Sequence, residues 1–312
     1  MTTSTEILPP NNELVLVTGA STGMGAATAQ ELARRGYHVV AGVRRESDAD
    51  TIRTARIEPH ILDITIQEHV DAIAARVAGD QRGRKLRAII NNAGIAINAP
   101  LEALPIEQWR RQFEVNLFGH IAVTQALLPA LIDNSGRVVN ISSVGGKVAM
   151  PTYGAYAGAK FAMEAVSDSL RREVAPFGVK VIIVEPGAVV TEIGKSGVAT
   201  ANRLAAEMND EQHMRYDDLI GAIVAQAESF GKTGLPASAA AGIIANAIMA
   251  KNPRTRYAVG RDAAILTKVS RMVPDRLLDT ILRRNLQPYY IGKQLVNSAA
   301  EEPARAGGHR LV

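Results

Sequence analysis

The chain has 312 residues, 47% of them apolar and 21% charged, a composition that suits a globular protein with a sizeable core. Its 35 basic and 31 acidic residues give a net charge of +4 and are scattered along the chain, so the sequence gives no support to nucleic-acid binding. The sequence contains no cysteine, which excludes disulfides, zinc–thiolate sites and a cysteine nucleophile.

The first residues of the chain do not resemble a secretory signal. Residues 1–12 lack the basic and apolar stretches of a secretory signal, and we expect them and residues 298–312 to be flexible tails. The longest uncharged stretch, residues 233–250, is interrupted by polar residues and places its bulky side chains on one face, which predicts a packed helix. We therefore expect a cytoplasmic protein without a membrane span.

Seven short runs rich in valine and isoleucine alternate with longer segments of helical periodicity. The runs are Leu14–Thr18, His38–Val43, His60–Asp63, Leu86–Asn91, Gly136–Ser142, Lys180–Glu185 and Arg256–Val259. Such uniformly apolar runs are typical of strands buried on both faces, and the alternation predicts a doubly wound sheet. The sequence shows no repeat or linker, so residues 13–297 are predicted to form one α/β domain of Rossmann type. Its seven-stranded, mostly parallel sheet is flanked by helices.

A glycine-rich turn follows the first predicted strand. It reads Gly19-Ala-Ser-Thr-Gly23-Met-Gly25 and opens a helix that we expect to end at Gly36. Glycines at such a turn let backbone amides approach a pyrophosphate at the helix N-terminus. A plain tight turn would also use glycine, but the position between the first strand and the first helix favours dinucleotide binding.

The end of the second strand bears on the choice of cofactor. Val43 is followed by Arg44 and Arg45, and the first carboxylate after the strand is Glu46. An acidic residue at this place binds the ribose of NAD, whereas arginine suits the 2′-phosphate of NADP. Unless the arginines are only solvated surface, the pattern predicts NADP, with NAD less favoured.

Tyr156 and Lys160 form an i, i+4 pair on one face of a predicted helix. At pH 7 only about one free tyrosine in a thousand is phenolate, and lowering its pKa by about three pH units requires about 4 kcal/mol. One positive charge at about 4 Å supplies that much at an effective dielectric of about 20. The pair is also common on exposed helices, so its interpretation depends on the neighbouring motifs.

Two polar turns follow other predicted strands, and ligands of open α/β sheets bind at the carboxyl ends of the strands. With these turns, the motifs resemble those of the short-chain dehydrogenase/reductase family from about residue 14 to residue 260. The matching positions are Thr18-Gly-x-x-x-Gly-x-Gly25, Asp63, Asn91-Asn-Ala-Gly94, Asn116, Ser143, Tyr156-x-x-x-Lys160, Pro186-Gly187 and Thr191. The resemblance implies the strand order 3-2-1-4-5-6-7 and NADP(H)-dependent interconversion of an alcohol and a carbonyl.

The resemblance also implies four catalytic residues. Ser143 would hydrogen-bond the substrate oxygen, and Tyr156 would transfer the proton. Lys160 would lower the pKa of Tyr156 and hold the nicotinamide ribose. Asn116 would hold a water that connects Lys160 to solvent.

A cofactor site along the carboxyl edge of the sheet follows from the same resemblance. Asp63 would contact the adenine, Asn92 and its turn the adenine ribose region, and Val189 with Thr191 the nicotinamide amide. The complete expected set is Gly19, Ser21, Thr22, Gly23, Met24, Gly25, Arg44, Arg45, Asp63, Ile64, Asn92, Ala93, Gly94, Tyr156, Lys160, Pro186, Gly187, Val189 and Thr191. Members that prefer NADP often carry arginine at the position of Arg44, but the basic residue that often precedes the middle glycine is Thr22 here.

The segment 188–232 mixes glycine, alanine, methionine and charge with weak periodicity, which predicts a lid or a loosely ordered loop. Its apolar side chains and the apolar turn after Ser143 predict a bulky apolar carbonyl or alcohol substrate, unless they only pack the lid onto the core. The resemblance adds steroids, retinoids and similar lipids as examples. The helix at 105–132 and the helix after Pro151 carry surplus apolar residues, which predicts a homo-oligomer. The resemblance implies a homodimer or homotetramer formed through these two helices.

Other functions fit less well. The six histidines lack metal-ligand spacing, so no metal site is expected, and His120 is interpreted as a packing residue. Ser143 lies outside any G-x-S-x-G elbow of a serine hydrolase. A non-catalytic NADP-binding sensor or scaffold would not need the complete catalytic set. An epimerase or dehydratase would need further acid/base residues.

Overall fold

In the computed structural model, residues 13–270 and 272–290 are described. The predicted tails, 1–12 and 298–312, lie outside the described residues. Seven parallel strands form one sheet in the order β3-β2-β1-β4-β5-β6-β7. Its strands are β1 (Glu13–Val17), β2 (His38–Val43), β3 (Ile57–Ile61), β4 (Lys85–Asn91), β5 (Arg137–Ile141), β6 (Lys180–Pro186) and β7 (Arg256–Val259). The predicted fold class and strand order are confirmed.

Helices cover both faces of the sheet. They are α1 (Gly23–Arg34), α2 (Glu46–Ile52), α3 (Gln67–Ala78), α4 (Ile106–Phe113), α5 (Gly119–Asp133), α6 (Gly154–Val174), α7 (Glu192–Ala205), α8 (Asp210–Thr233), α9 (Ala237–Met249), α10 (Arg261–Val269) and α11 (Asp275–Leu286). Alternate residues of β1 enter opposite cores: Val15 packs with β2, β4 and α9, whereas Leu16 packs with α3 and α5. This two-sided burial explains why the strands are uniformly apolar.

The long helix predicted at 105–132 is confirmed with one irregularity. A π-helical turn, Glu114–Phe118, joins α4 to α5, and the helix runs continuously over 28 residues, Ile106–Asp133. This helix is long and apolar enough to cross a membrane by length and composition alone. Core helices of soluble proteins pass the same test, so the absence of a membrane span stays a prediction.

The segment 188–232 differs from its sequence interpretation, because most of it is regular helix. The helices α7 and α8 occupy it, and α8 begins with a capping box in which Asn209 and Gln212 bond each other's backbone amides. Each helix contains two glycines, Gly194 and Gly197 in α7 and Gly221 and Gly231 in α8, and glycine lowers the helix propensity of a sequence. The interpretation as a lid is compatible with two helices; a loosely ordered loop is not.

Candidate active site

The turns that follow β1 and β4 are bound to each other. The hydroxyl oxygen of Thr18 accepts hydrogen bonds from the amides of Asn92 (2.9 Å) and Ala93 (3.0 Å). The side-chain amide of Asn92 donates to the carbonyls of Thr18 (2.9 Å) and Gly19 (3.1 Å). The Asn92 side chain, expected near the adenine ribose, therefore fixes the glycine-rich turn, and its contact with a cofactor stays a prediction.

The glycine-rich turn has the shape that a pyrophosphate requires. Gly19 has a positive φ of 63°, and an added Cβ there would lie 2.7 Å from the Cα of Ala93. An added Cβ at Gly25 would overlap the Gly19 carbonyl and lie 2.5 Å from the Asn92 amide nitrogen. Among the described residues no side chain caps α1, and its first turn carries no acidic residue. The backbone amides at this helix start therefore fit an anionic group.

Two arginines follow β2, at the positions that the sequence predicts to bind the 2′-phosphate of NADP. Val43 is buried, whereas Arg44 and Arg45 are exposed directly after the strand. The carboxylate of Asp63, after β3, accepts hydrogen bonds from the amide and hydroxyl of Thr65. Burial alone would raise the Asp63 pKa, but these bonds and the charge of Arg44 lower it. The basic edge fits the extra phosphate of NADP.

Three of the four catalytic residues inferred from the sequence lie at the end of β5 and the start of α6. The Lys160 ammonium donates to the Ile141 carbonyl at 2.8 Å and lies 5.9 Å from the ring centroid of Tyr156. The hydroxyl of Ser143 accepts a hydrogen bond from the Gly145 amide and interacts with the Tyr156 hydroxyl. The structure thus brings Ser143, Tyr156 and Lys160 into one site.

The pKa of Tyr156 differs from the expectation. Burial raises it above the usual value for tyrosine, and the hydrogen bond with Ser143 only partly offsets this effect. Burial also lowers the pKa of Lys160 to about 8, against the charge of Glu164, which raises it. The Lys160 ammonium lies 5.9 Å from the ring centroid of Tyr156, and its hydrogen bond is made to the Ile141 carbonyl. The site as it stands holds Tyr156 as a neutral phenol, the form that donates a proton.

Asn116 lies in the π-helical turn, and its side chain is hydrogen-bonded to the segment after β4. Its side-chain amide donates to the Ile95 carbonyl and accepts from the Ile95 amide, both at 2.9 Å. Gln112, one turn earlier, bonds the Ile95 carbonyl and the Ile97 amide in the same manner. The side chain of Asn116 thus fixes this segment, and its role in holding a water stays a prediction. The sequence interpretation missed Gln112, although an amide four residues before Asn116 in an apolar helix was a usable signal.

His120 is buried in α5 and contacts the cofactor turn. Its Nε2 lies 2.7 Å from the Ala93 carbonyl, which can only accept, so Nε2 is the protonated nitrogen. Burial, reinforced by the charge of Lys160, lowers the pKa of His120 to about 3. A neutral histidine thus supports the turn after β4, which agrees with its interpretation as a packing residue.

The residues after β6 reach the same edge of the sheet. The Gly187 amide donates to the Val259 carbonyl at 3.0 Å, and Val189 forms a bridge with Leu235. Thr191 precedes α7 and lies 3.3 Å from the Cβ position of Gly23 at the start of α1. The expected nicotinamide-side residues are therefore adjacent to the glycine-rich turn. Ile64, in contrast, is buried against Gly119, so only its backbone can face a cofactor.

The helices α7 and α8 pack against the turn that precedes Tyr156. The ring of Tyr153 lies edge-on to that of Tyr156, 6.1 Å between centroids, and packs with Ile223 of α8. A small cavity of about 10 Å³ remains between the lid and this turn. Its lining is mostly apolar and consists of Asn98, Ala99, Thr152, Ala201, Ile220, Ile223 and Val224. The packing of α7 and α8 next to this turn is therefore mostly apolar.

Comparison with known proteins gives one consistent result. A family model described as short chain dehydrogenase matches residues 13–202. The NADPH-dependent 3-dehydrocapnine reductase of Ornithobacterium rhinotracheale is 32% identical over 283 residues, covering 87% of this chain and 96% of the relative. Retinol dehydrogenase 5 of Mus musculus is 35% identical over 292 residues, with coverages of 88% and 89%.

Solved structures agree with the sequence relatives. A short-chain dehydrogenase from Streptomyces avermitilis superposes with a TM-score of 0.70 at 29% identity, covering 90% of this chain and 97% of the other. A short chain dehydrogenase from Burkholderia cenocepacia J2315, in complex with NADP, superposes with a TM-score of 0.67 at 26% identity, with coverages of 89% and 99%.

Proposed function

The chain belongs to the short-chain dehydrogenase/reductase family, and from this premise we propose that it reduces bulky apolar carbonyl compounds with NADPH, using Tyr156 as the proton donor. The family assignment makes the chain an NADP-dependent oxidoreductase that acts on CH–OH groups. The single observation that carries the finer proposal is the placement of Ser143, Lys160 and a neutral Tyr156 in one partly buried site.

The chain's own residues supply binding and proton transfer. When bound, the nicotinamide cofactor supplies the hydride. Ser143 holds the substrate oxygen through its hydroxyl, and Tyr156 donates its proton to that oxygen as negative charge develops there. Lys160, bound to the Ile141 carbonyl, stabilises the phenolate that Tyr156 becomes.

The proposed cofactor preference has two supports. Arg44 and Arg45 are exposed after β2. Asp63 carries a single negative charge, and its carboxylate accepts hydrogen bonds from Thr65, so it does not neutralise both arginines. One relative is named as NADPH-dependent, and one structural neighbour is bound to NADP. NADP(H) is therefore the cofactor, with Arg44 proposed to bind its 2′-phosphate.

The proposed substrate class follows from the walls of the site. The cavity lining is mostly apolar, and Leu204 of α7 is buried against Ile97, Ala99 and Leu104. Retinol dehydrogenases, which are named for a bulky apolar alcohol, are among the relatives. We expect the lid helices to enclose an apolar substrate, with Tyr153 beside it.

Two further proposals concern assembly and location. Phe118 on the long helix and Phe161 on α6 are 52% and 45% exposed, which supports a homo-oligomer formed through these two helices. The buried polar residues of the long helix, such as Asn116 and His120, bond the turn after β4. A helix packed in this way on the sheet supports a cytoplasmic protein.

The experiment that tests this proposal is an NADPH-oxidation screen with ketones and aldehydes of graded size. Each methylene buried in an apolar pocket contributes about 0.8 kcal/mol, so kcat/KM should rise several-fold per carbon until the pocket is full. A flat series, or preference for a carboxylated analogue, would contradict the apolar pocket. NADPH binding without turnover of any carbonyl would favour the sensor or scaffold.

A further inference from the structure

A cluster of buried and half-buried ionic groups begins one helical turn after Lys160 on α6. The Lys147 ammonium contacts Glu164 Oε2 at 2.6 Å and Glu185 Oε1 at 3.8 Å. The Arg256 guanidinium contacts the same Glu164 oxygen at 3.1 Å, Asp168 at 3.0 Å and Glu185 at 3.4 Å. Arg171 also contacts Asp168 at 3.1 Å, so three cations and three carboxylates balance the charge of this cluster.

Glu164 is the member of the cluster nearest to the reaction. It follows Lys160 by four residues, as Lys160 follows Tyr156, so the three side chains lie along one face of α6. The Glu164 side chain is only 6% exposed, and its carboxylate is the charge that acts to keep Lys160 protonated against burial. A buried ammonium requires such a counter-charge, because burial alone favours its neutral form.

The turn after Ser143 is shaped to hold this carboxylate. Gly146 packs on α6 so closely that an added Cβ would lie 2.6 Å from the Ser142 hydroxyl, 3.2 Å from Glu164 Cγ and 3.2 Å from the Lys160 carbonyl. Lys147 follows at once and reaches Glu164 from this position. The same short turn thus carries Ser143 on one side and the partner of Glu164 on the other.

We propose that Glu164 is a positioning residue for the reaction: its buried carboxylate keeps Lys160 positively charged and directed at the Ile141 carbonyl, while Lys147 and Arg256 hold the carboxylate in place. This role rests on the proposed function, because it acts through Lys160 on the cofactor and on Tyr156.

Other charged groups around Lys160 do not replace Glu164. Tyr156 on α6 and His120 on α5 are neutral at pH 7, since burial raises the pKa of the first and lowers that of the second. Lys147 and Arg256 repel Lys160 rather than stabilise it. Glu185 on β6 and Asp168 on α6 belong to the cluster, and both are bound by Arg256.

Removing a negative charge from the cluster and removing a positive charge from it should shift the pH profile in opposite directions. In Glu164→Gln, Lys160 loses its counter-charge, and the alkaline limb of kcat/KM for NADPH should move to lower pH by about one unit. In Lys147→Gln the cluster becomes more negative, and the same limb should move to higher pH. Glu164→Asp keeps the charge and should keep the wild-type profile. Glu173→Gln, an exposed carboxylate on the same helix, is the matched control and should change nothing.

The test is the pH profile of kcat/KM for NADPH together with the pH dependence of the NADPH dissociation constant, for the wild type and these four variants. Opposite shifts in Glu164→Gln and Lys147→Gln support the proposal. Shifts in the same direction, or superimposable profiles, overturn it. If Glu164→Gln shows no cooperative thermal unfolding, the upward shift in Lys147→Gln and the unchanged profile of Glu164→Asp decide instead. A wild type that binds NADPH without turnover contradicts the proposed function alone, because the binding profiles still test Glu164.

Discussion

The ammonium nitrogen of Lys160 lies 5.9 Å from the ring centroid of Tyr156, one helical turn away on α6. Its hydrogen bond is made to the Ile141 carbonyl, and the phenol interacts with Ser143 instead. Lysine and tyrosine are therefore prepared for different tasks before any cofactor binds. The lysine carries charge, and the tyrosine carries the proton.

This division predicts the pH dependence of the enzyme. Lys160 has a pKa lowered by burial to about 8, whereas burial raises that of Tyr156. Because kcat/KM for NADPH reports groups of the free enzyme, it should stay level through neutral pH and fall as the pH rises past about 8. Initial rates from pH about 5 to 10 measure the profile. A limb centred well below neutrality would contradict the assignment of Lys160.

Arg44 should determine the cofactor preference. A charge-assisted contact with the 2′-phosphate contributes about 1.5–3 kcal/mol, so Arg44→Ala should weaken NADPH binding tenfold to a hundredfold. The affinity for NADH should hardly change. Arg53→Ala, which removes an exposed arginine just after α2, is the control for net charge. Titration of both cofactors by fluorescence tests this, and equal wild-type affinities for NADPH and NADH would refute it.

Gly25 should tolerate no side chain. An added Cβ would overlap the Gly19 carbonyl and crowd the Asn92 amide, so Gly25→Ala should displace the turn and abolish measurable NADPH binding. Gly242→Ala is the matched control, because its Cβ meets no described atom within 4 Å in α9. That variant should gain about 0.5–1 kcal/mol of stability from helix propensity. Unchanged NADPH affinity in Gly25→Ala would disprove the role of this turn.

The oligomer should depend on the exposed phenylalanines of two helices. Light scattering should give at least twice the 33.3 kDa chain mass, and Phe118→Ser combined with Phe161→Ser should shift the protein towards the monomer. Phe177→Ser, which alters a similarly exposed phenylalanine after α6, should leave the mass unchanged. A monomeric wild type at micromolar concentration would rule out this assembly.

The sequence predicted most of the fold because buried parallel strands leave an unmistakable apolar pattern. It was least accurate at β3, expected at His60–Asp63 and observed at Ile57–Ile61. This strand lies at the sheet edge, where partial exposure admits Glu58 and Pro59 and masks the pattern. The helices α7 and α8 do not follow from the sequence pattern, because each contains two glycines, which lower helix propensity.

Local motifs identified the candidate site, but contacts between distant segments did not follow from them. Gln112 reaches the turn after β4, and Arg256 reaches Glu164, which is 92 residues earlier in the chain. The pKa of Tyr156 also depends on how deeply the folded chain buries the phenol, a quantity that spacing to Lys160 does not contain. Pairwise spacing therefore left out the effect of burial, which raises that pKa.

The central claim is that Tyr156 donates the proton. The most direct measurement compares turnover and NADPH binding in the wild type and in Tyr156→Phe, a substitution that removes the hydroxyl and almost no volume. Tyr153→Phe, which removes the hydroxyl of the adjacent ring, is the matched control. The account predicts that Tyr156→Phe binds NADPH normally and retains less than about 1% of kcat, a loss within the range of general-acid catalysis. Tyr153→Phe should remain active. A Tyr156→Phe enzyme that keeps more than a few per cent of wild-type kcat would contradict the assignment.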